Sequence, residues 1–329
     1  MNKKSKVMIR LKYAQVPMAL RELSRLAGKL GNALGRHYPL YRDTDLQAEQ
    51  PVVIISSGRS GTTLMRSMLV AGGQIAIPAE TQIIHTLPIK FRTTRGLSWE
   101  DQVRLVIASF ESHRNFPLWQ VNLGDAYQKA LALPENERSL ARIINEVYFT
   151  YAAQAFPEAK VWGDQSPIHT FYLPYIKKVF PKARYMHLLR DGRDVVSSMV
   201  TRHGDDYLFE AVLRWKTSLT RISHFQQGLT PDQYIEVRYE NLVREPEPTL
   251  QKVCDFIGIE YTQRMLDYWK LPTTIEHKYK SFHENLGKPV FDSSIGKWRE
   301  RLTAPQQEYV MQQLTTELRE LGYLDGPDA

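Results

Sequence analysis

Two short stretches carry the residue types that bind oxyanions. The first is Ser56-Ser57-Gly58-Arg59-Ser60-Gly61-Thr62-Thr63-Leu64-Met65-Arg66, which directly follows the apolar run Pro51-Val52-Val53-Ile54-Ile55. A buried strand turning through a glycine-rich loop into a helix presents successive backbone N–H groups and the positive end of the helix dipole to one point, which suits phosphate or sulfate. A Walker A loop needs G-x-x-x-x-G-K-[ST]. Aligning its second glycine on Gly61 puts Thr62 in the lysine's place and Ser56 in the first glycine's place, so a nucleoside-triphosphate site fails at two defining positions. The cation is instead Arg59, placed to reach the terminal group of a bound nucleotide from the other side of the loop. The plainer alternative is a serine- and glycine-rich turn that only caps a helix.

The second stretch is Arg190-Asp191-Gly192-Arg193, after which Ser198 and Arg202 fall four residues apart on one helix face. One hydroxyl and two guanidinium groups converging on one spot would hold a dianion. Spacing alone equally allows arginines that are solvated or paired with Asp191 and Asp194.

Both stretches need strands to present them. Residues 51–57 read as a buried strand and Thr62 to Ala71 as a helix broken by Gly72-Gly73, with an extended return over 74–80. Residues 98–156 read as a helical cover, opened by the capping signal Ser98-Trp99-Glu100-Asp101. A short strand over 160–163, a helix from about Thr170 to Val179 and a strand over 184–189 follow. This alternation predicts an α/β, P-loop-like three-layer fold with a central parallel sheet flanked by helices. Both stretches then lie at carboxyl ends of strands, where open α/β sheets bind ligands.

The chain has 329 residues, 43% of them hydrophobic, enough for one large α/β core or two small ones. Its formal charge of +7 is local: Met1 to Arg36 holds nine of the 43 Lys/Arg and only one of the 36 Asp/Glu, leaving 34 against 35 elsewhere. Basicity therefore belongs to an extension, 1–45, and nucleic acid is not an expected partner. Leu20, Leu23, Ala27, Leu30 and Leu34 recur there at helical spacing among Arg21, Arg25 and Lys29, a pattern that fits either peripheral membrane contact or a surface helix packed on the main domain, 46–329. No apolar h-region or membrane-length run is present, and Cys254 is the single cysteine, which together point to the cytoplasm.

Taken together, the two stretches resemble the sulfotransferases that use 3′-phosphoadenosine 5′-phosphosulfate (PAPS), and within them the tyrosylprotein sulfotransferase branch and its bacterial relatives. The resemblance covers roughly 51–325. Gly58 to Arg66 matches the family's 5′ loop, with Arg59, Ser60, Gly61, Thr62 and Thr63 as cofactor contacts. Arg190 with Ser198 and Arg202 matches its 3′-phosphate motif. Within Arg238-Tyr239-Glu240-Asn241-Leu242, Tyr239 falls on a nucleotide-contacting tyrosine, and Lys297 of Gly296-Lys297-Trp298 falls on a lysine that reaches the cofactor's phosphate. The resemblance places the catalytic base at Glu80 of Pro78-Ala79-Glu80-Thr81. It implies in-line transfer of a sulfuryl group from PAPS to a hydroxyl or amine of a small-molecule, carbohydrate or peptide acceptor, with Arg59 as the chief electrophilic stabiliser and no metal. A homodimer is a further partner state consistent with it.

Two positions depart from that branch. Its catalytic lysine corresponds to Gln165 of Gly163-Asp164-Gln165-Ser166-Pro167, and an arginine that meets acidic peptides corresponds to Gln82. A neutral amide cannot offset leaving-group charge, so that role passes to Arg59 or is weakened, and Gln82 points away from peptidyl-tyrosine as acceptor. Among the remaining polar residues, His85 and His169 read as surface or capping histidines rather than pocket residues, and His203, Asp205 and Asp206 fit no metal-ligand spacing. Trp162 is the tryptophan expected nearest the nucleotide. The rival readings are a P-loop kinase-like phosphotransferase and a non-catalytic membrane- or nucleic-acid-binding protein.

Overall fold

The computed structural model describes residues 37–46, 50–270 and 287–325. The basic stretch 1–36, with its leucine pattern, lies outside the described residues. Five strands, β1 (Val52–Ile55), β2 (Ile75–Ala76), β3 (Val161–Asp164), β4 (Arg184–Leu189) and β5 (Tyr234–Arg238), form one parallel sheet in the order β2-β3-β1-β4-β5. β1 is central because all four of its side chains are apolar and buried, as a strand covered on both faces requires.

Alternate β1 residues feed two separate cores. Val52 and Ile54 pack with Met65, Met68 and Leu69 of α1 (Thr62–Ala71), whereas Val53 and Ile55 face the helical cover. That cover comprises α2 (Leu87–Thr93), α3 (Trp99–Glu111), α4 (Gly124–Ala132) and α5 (Leu140–Ala155). The signal at 98–101 acts as expected, since the Asp101 amide donates to Ser98 Oγ at 3.2 Å. The helix expected over 170–179 is instead a 3-10 turn, Pro167–Phe171, followed by the short α6 (Leu173–Lys177), with Tyr172 at φ −133° between them. The two prolines explain the difference, because each starts its own helical turn rather than continuing one.

Beyond β4, α7 (Gly192–His203) and α8 (Leu208–Gln226) form a third packed cluster with the C-terminal α12 (Ala304–Glu320). Three short helices lie between: α9 (Tyr239–Arg244), α10 (Pro246–Ile257) and α11 (Trp298–Arg301). Residues 37–45, placed in the extension by sequence, pack on the body: Leu40 is buried in the cover's core and Asp45 accepts from Ser139 Oγ at 2.7 Å. Among the described residues no helix is long and apolar enough to cross a membrane.

Candidate active site

The loop after β1 is shaped by backbone rather than by side chains facing a ligand. Ser56 is tied to Thr170 in both directions, its amide donating to Oγ1 at 3.2 Å and its carbonyl accepting at 2.8 Å. The Gly58 amide donates to Ser56 Oγ at 3.0 Å. Gly58, Arg59 and Gly61 then all take positive φ, at 85°, 58° and 88°. A non-glycine residue held in that region stores strain of the kind found at ligand clamps. Gly61 also has no room for a side chain, since a Cβ there would lie 2.5 Å from Tyr239 Cδ2. The Ser60 hydroxyl turns inward to Ser57 Oγ and the Gly58 carbonyl, so only its backbone is available to a ligand.

The Arg190 stretch arrives beside this loop. Arg59 Nε donates to Ser198 Oγ at 3.0 Å, and Arg190 Nη1 donates to the Arg59 carbonyl at 3.0 Å. Arg190 also donates through Nη2 to the Ser294 carbonyl at 2.7 Å and stacks over the Tyr239 ring at 4.4 Å, while its buried Nε has no partner among the described residues. The pairing alternative holds in part: Asp191 binds Arg193 at 2.7 Å, Arg193 continues to the Tyr323 carbonyl, and Asp194 faces Arg190. Asp194 Oδ2 lies 3.9 Å from Arg190 Nη2, and the same carboxylate accepts from the amides of Gly296 and Trp298, at 2.8 and 3.0 Å, pinning residues 294–298 to α7.

A cavity of about 610 Å³ joins these parts. Gly58, Arg59, Gly61, Thr62 and Thr63 line it, as do Arg190, Ser198, Arg202, Tyr239 and Glu80. Burial, followed by the neighbouring charges of Arg202, Arg190 and Arg301, pushes the Arg59 guanidinium down to about 10. A cluster of cations that disfavour one another is an environment completed by a polyanion. The unpartnered Arg190 Nε fits the same requirement.

Glu80 is held from behind. The Ala79 carbonyl accepts from Trp119 Nε1 and the Glu80 carbonyl from Asn115 Nδ2, both at 2.8 Å. The next turn has Gln82 at φ +56°, its Nε2 reaching Glu80 Oε2 at 3.5 Å. Burial raises the Glu80 carboxyl above its ordinary range and the nearby Asp164 adds to this, against the opposing effects of Gln82, His169 and Arg202. A partly desolvated carboxylate of this kind is a competent proton acceptor.

Other expected residues lie elsewhere. Lys297 does not line the cavity; its Nζ binds Glu300 at 2.8 Å. Trp162 is corrected from nucleotide neighbour to core: it stacks on Tyr148 at 4.0 Å and donates to Asn145. Gln165 is buried, its Oε1 has no partner among the described residues, and it is not on the cavity wall. His85 and His169 are neither surface nor pocket residues but a buried pair, Nδ1 to Nδ1 3.1 Å, with His169 Nε2 2.8 Å from Asp164. Burial and then His169 hold His85 down at about 4, so it stays neutral. His203 lines the cavity, while Asp205 accepts from Gln306. Among the described residues no group of three or more His, Cys, Asp or Glu gathers as metal ligands.

Sequence reasoning missed Arg114 and Arg214, which also line the cavity. Neither belongs to a spacing pattern with the loop, and only the fold brings them there.

A model described as "Sulfotransferase family" matches residues 51–263. A putative protein-tyrosine sulfotransferase of Caenorhabditis briggsae is 24% identical over 229 residues, 68% of this chain and 70% of the relative. Protein-tyrosine sulfotransferase 2 of Gallus gallus is 25% identical over 261 residues, 76% of this chain and 63% of the relative, so the match spans just under two thirds of that protein. The sulfotransferase domain of the Synechococcus PCC 7002 olefin synthase has a similar fold, with TM-score 0.56 and 24% identity over 85% of this chain and 95% of that one.

Proposed function

The chain belongs to the sulfotransferase family, and from that premise we propose that it transfers the sulfuryl group of PAPS to a hydroxyl or amine acceptor. The observation that carries the reading is one cavity lined jointly by the β1 loop, the Arg190–Ser198–Arg202 cluster and Glu80. A mononucleotide with one phosphate group would need only one of the two cationic clusters; a nucleotide phosphorylated on both its 3′ and 5′ sides uses both.

In this reading the amides of Gly61, Thr62 and Thr63, with Arg59, hold the 5′-phosphosulfate, and Arg190, Ser198 and Arg202 hold the 3′-phosphate. Tyr239 supports Arg190 from below its guanidinium plane. Glu80 takes the acceptor's proton as its oxygen or nitrogen bonds to sulfur. The S–O bond to the 5′-phosphate breaks, and its electron pair leaves on the phosphate oxygen. Little covalent work falls to the protein, so positioning and charge stabilisation dominate. The acceptor is a small molecule, a carbohydrate or a peptide, and neutral Gln82 beside the base weighs against a requirement for acidic peptides.

Calorimetry with adenosine 3′,5′-bisphosphate, followed by transfer of labelled sulfuryl from PAPS to a panel of phenols, alcohols and amines, tests the reading. Thermal stabilisation by magnesium-ATP with no response to the bisphosphate would instead support a P-loop kinase.

A further inference from the structure

Resting on the sulfuryl-transfer reading, we propose that Arg214 is a second catalytic guanidinium, which contacts the donor's phosphosulfate and supplies the positive charge that neutral Gln165 cannot. Arg214 projects from α8 to the loop after β1, where its Nε donates to the Ser57 carbonyl at 3.0 Å. That bond uses one N–H of the fork. No described residue accepts from either terminal nitrogen, and the guanidinium carbon lies 5.6 Å from the centre of the Phe171 ring. The side chain lines the cavity.

Its position relative to the 165–167 segment is fixed by Gly58. A Cβ there would lie 3.8 Å from both Nε and Nη2 of Arg214 and 3.7 Å from Pro167 Cβ. The guanidinium and the segment carrying Gln165 therefore flank the same face of the loop. Gln165 itself is buried, off the cavity wall and with Oε1 unpartnered, so no cation reaches the loop from its own position. Arg59 is held separately, by its bond to Ser198. As the S–O bond to the 5′-phosphate breaks, negative charge grows on that phosphate oxygen, and the free N–H groups of Arg214 are donors placed to receive it alongside Arg59.

The test compares wild type, Arg214→Gln, Arg214→Lys and the double variant Arg214→Gln/Gln165→Lys, reading cleavage of labelled PAPS with the panel of phenols, alcohols and amines present, bisphosphate affinity and melting temperature. Arg214→Gln should lower kcat about 100-fold, the cost of removing one preorganised donor, with bisphosphate affinity changed less than about tenfold. Arg214→Lys should retain only part of the rate, because an ammonium does not reproduce the fork. The double variant should recover at least about tenfold over Arg214→Gln, since a lysine at 165 restores charge on that face without repairing the Ser57 contact. A purely structural Arg214 predicts no such recovery, and that result overturns the proposal. So does an Arg214→Gln rate within about threefold of wild type. Wild-type protein that fails to bind the bisphosphate, or binds it and cleaves no PAPS, overturns the sulfuryl-transfer reading and this proposal with it.

Discussion

Arg59 Nε donates to Ser198 Oγ across 3.0 Å, joining residues 139 positions apart and linking the loop after β1 to the hydroxyl assigned to the 3′-phosphate. The two halves of the site are therefore not independent. Ser198→Ala should weaken bisphosphate binding about tenfold by calorimetry and should also lower kcat, because Arg59 loses the acceptor that orients it. A loss confined to affinity, with kcat unchanged, would show that the bond does not orient Arg59 for chemistry.

Glu80→Gln keeps the side chain's shape and removes its basicity. Turnover should fall by about 100-fold or more, the usual scale of a general base, while bisphosphate affinity stays within a few-fold. Retained turnover would move the base elsewhere.

Burial raises the Glu80 carboxyl above 4.5. Since the ionised form is the base, kcat/KM should rise with pH along a limb whose midpoint lies above 4.5, and Glu80→Gln should abolish that limb. The same shift has a consequence for stability. The folded state holds this proton more tightly than the unfolded chain, so stability falls as pH rises from 4.5 through the folded value. Glu80→Gln should therefore melt higher than wild type at neutral pH, with the advantage vanishing in acid. Thermal scans across pH check the sign.

Gly61→Ala places a Cβ 2.5 Å from Tyr239 Cδ2 at φ +88°. The left-handed backbone alone costs about 1–2 kcal/mol, and Tyr239 must move from beneath Arg190. Denaturant melts should show at least that loss, and calorimetry should show bisphosphate binding reduced beyond detection.

Lys297 binds Glu300 at the surface and stays off the cavity wall. Lys297→Ala should leave bisphosphate affinity within about twofold, an exposed pair of this type contributing little. A tenfold loss would mean that the side chain swings to the nucleotide.

Much of the site was legible because it is local. β1, the glycine turn and α1 are contiguous, and positive φ at Gly58 and Gly61 is a backbone demand that the glycines announce. The α7 stretch was legible for the same reason, with Ser198 and Arg202 one helical turn apart. Local spacing could not say which partner a side chain would choose. Asp191 took Arg193, Asp194 took Arg190 while that side chain still lines the cavity, and Lys297 took Glu300. Trp162 borders a site segment in sequence, yet strand alternation turns its ring into the cover beside Tyr148.

From sequence alone came the strand–loop–helix, the failed Walker pattern, the second cationic stretch and the parallel α/β class, because each depends on neighbouring residues or on a regular period. Tertiary structure alone decided that Arg59 rests on Ser198, that Glu80 is partly desolvated and held through Trp119 and Asn115, and that Arg214 reaches the loop from α8. Those relations join residues 35 to 157 positions apart. They are set by how helices pack on a sheet, which no spacing along the chain encodes.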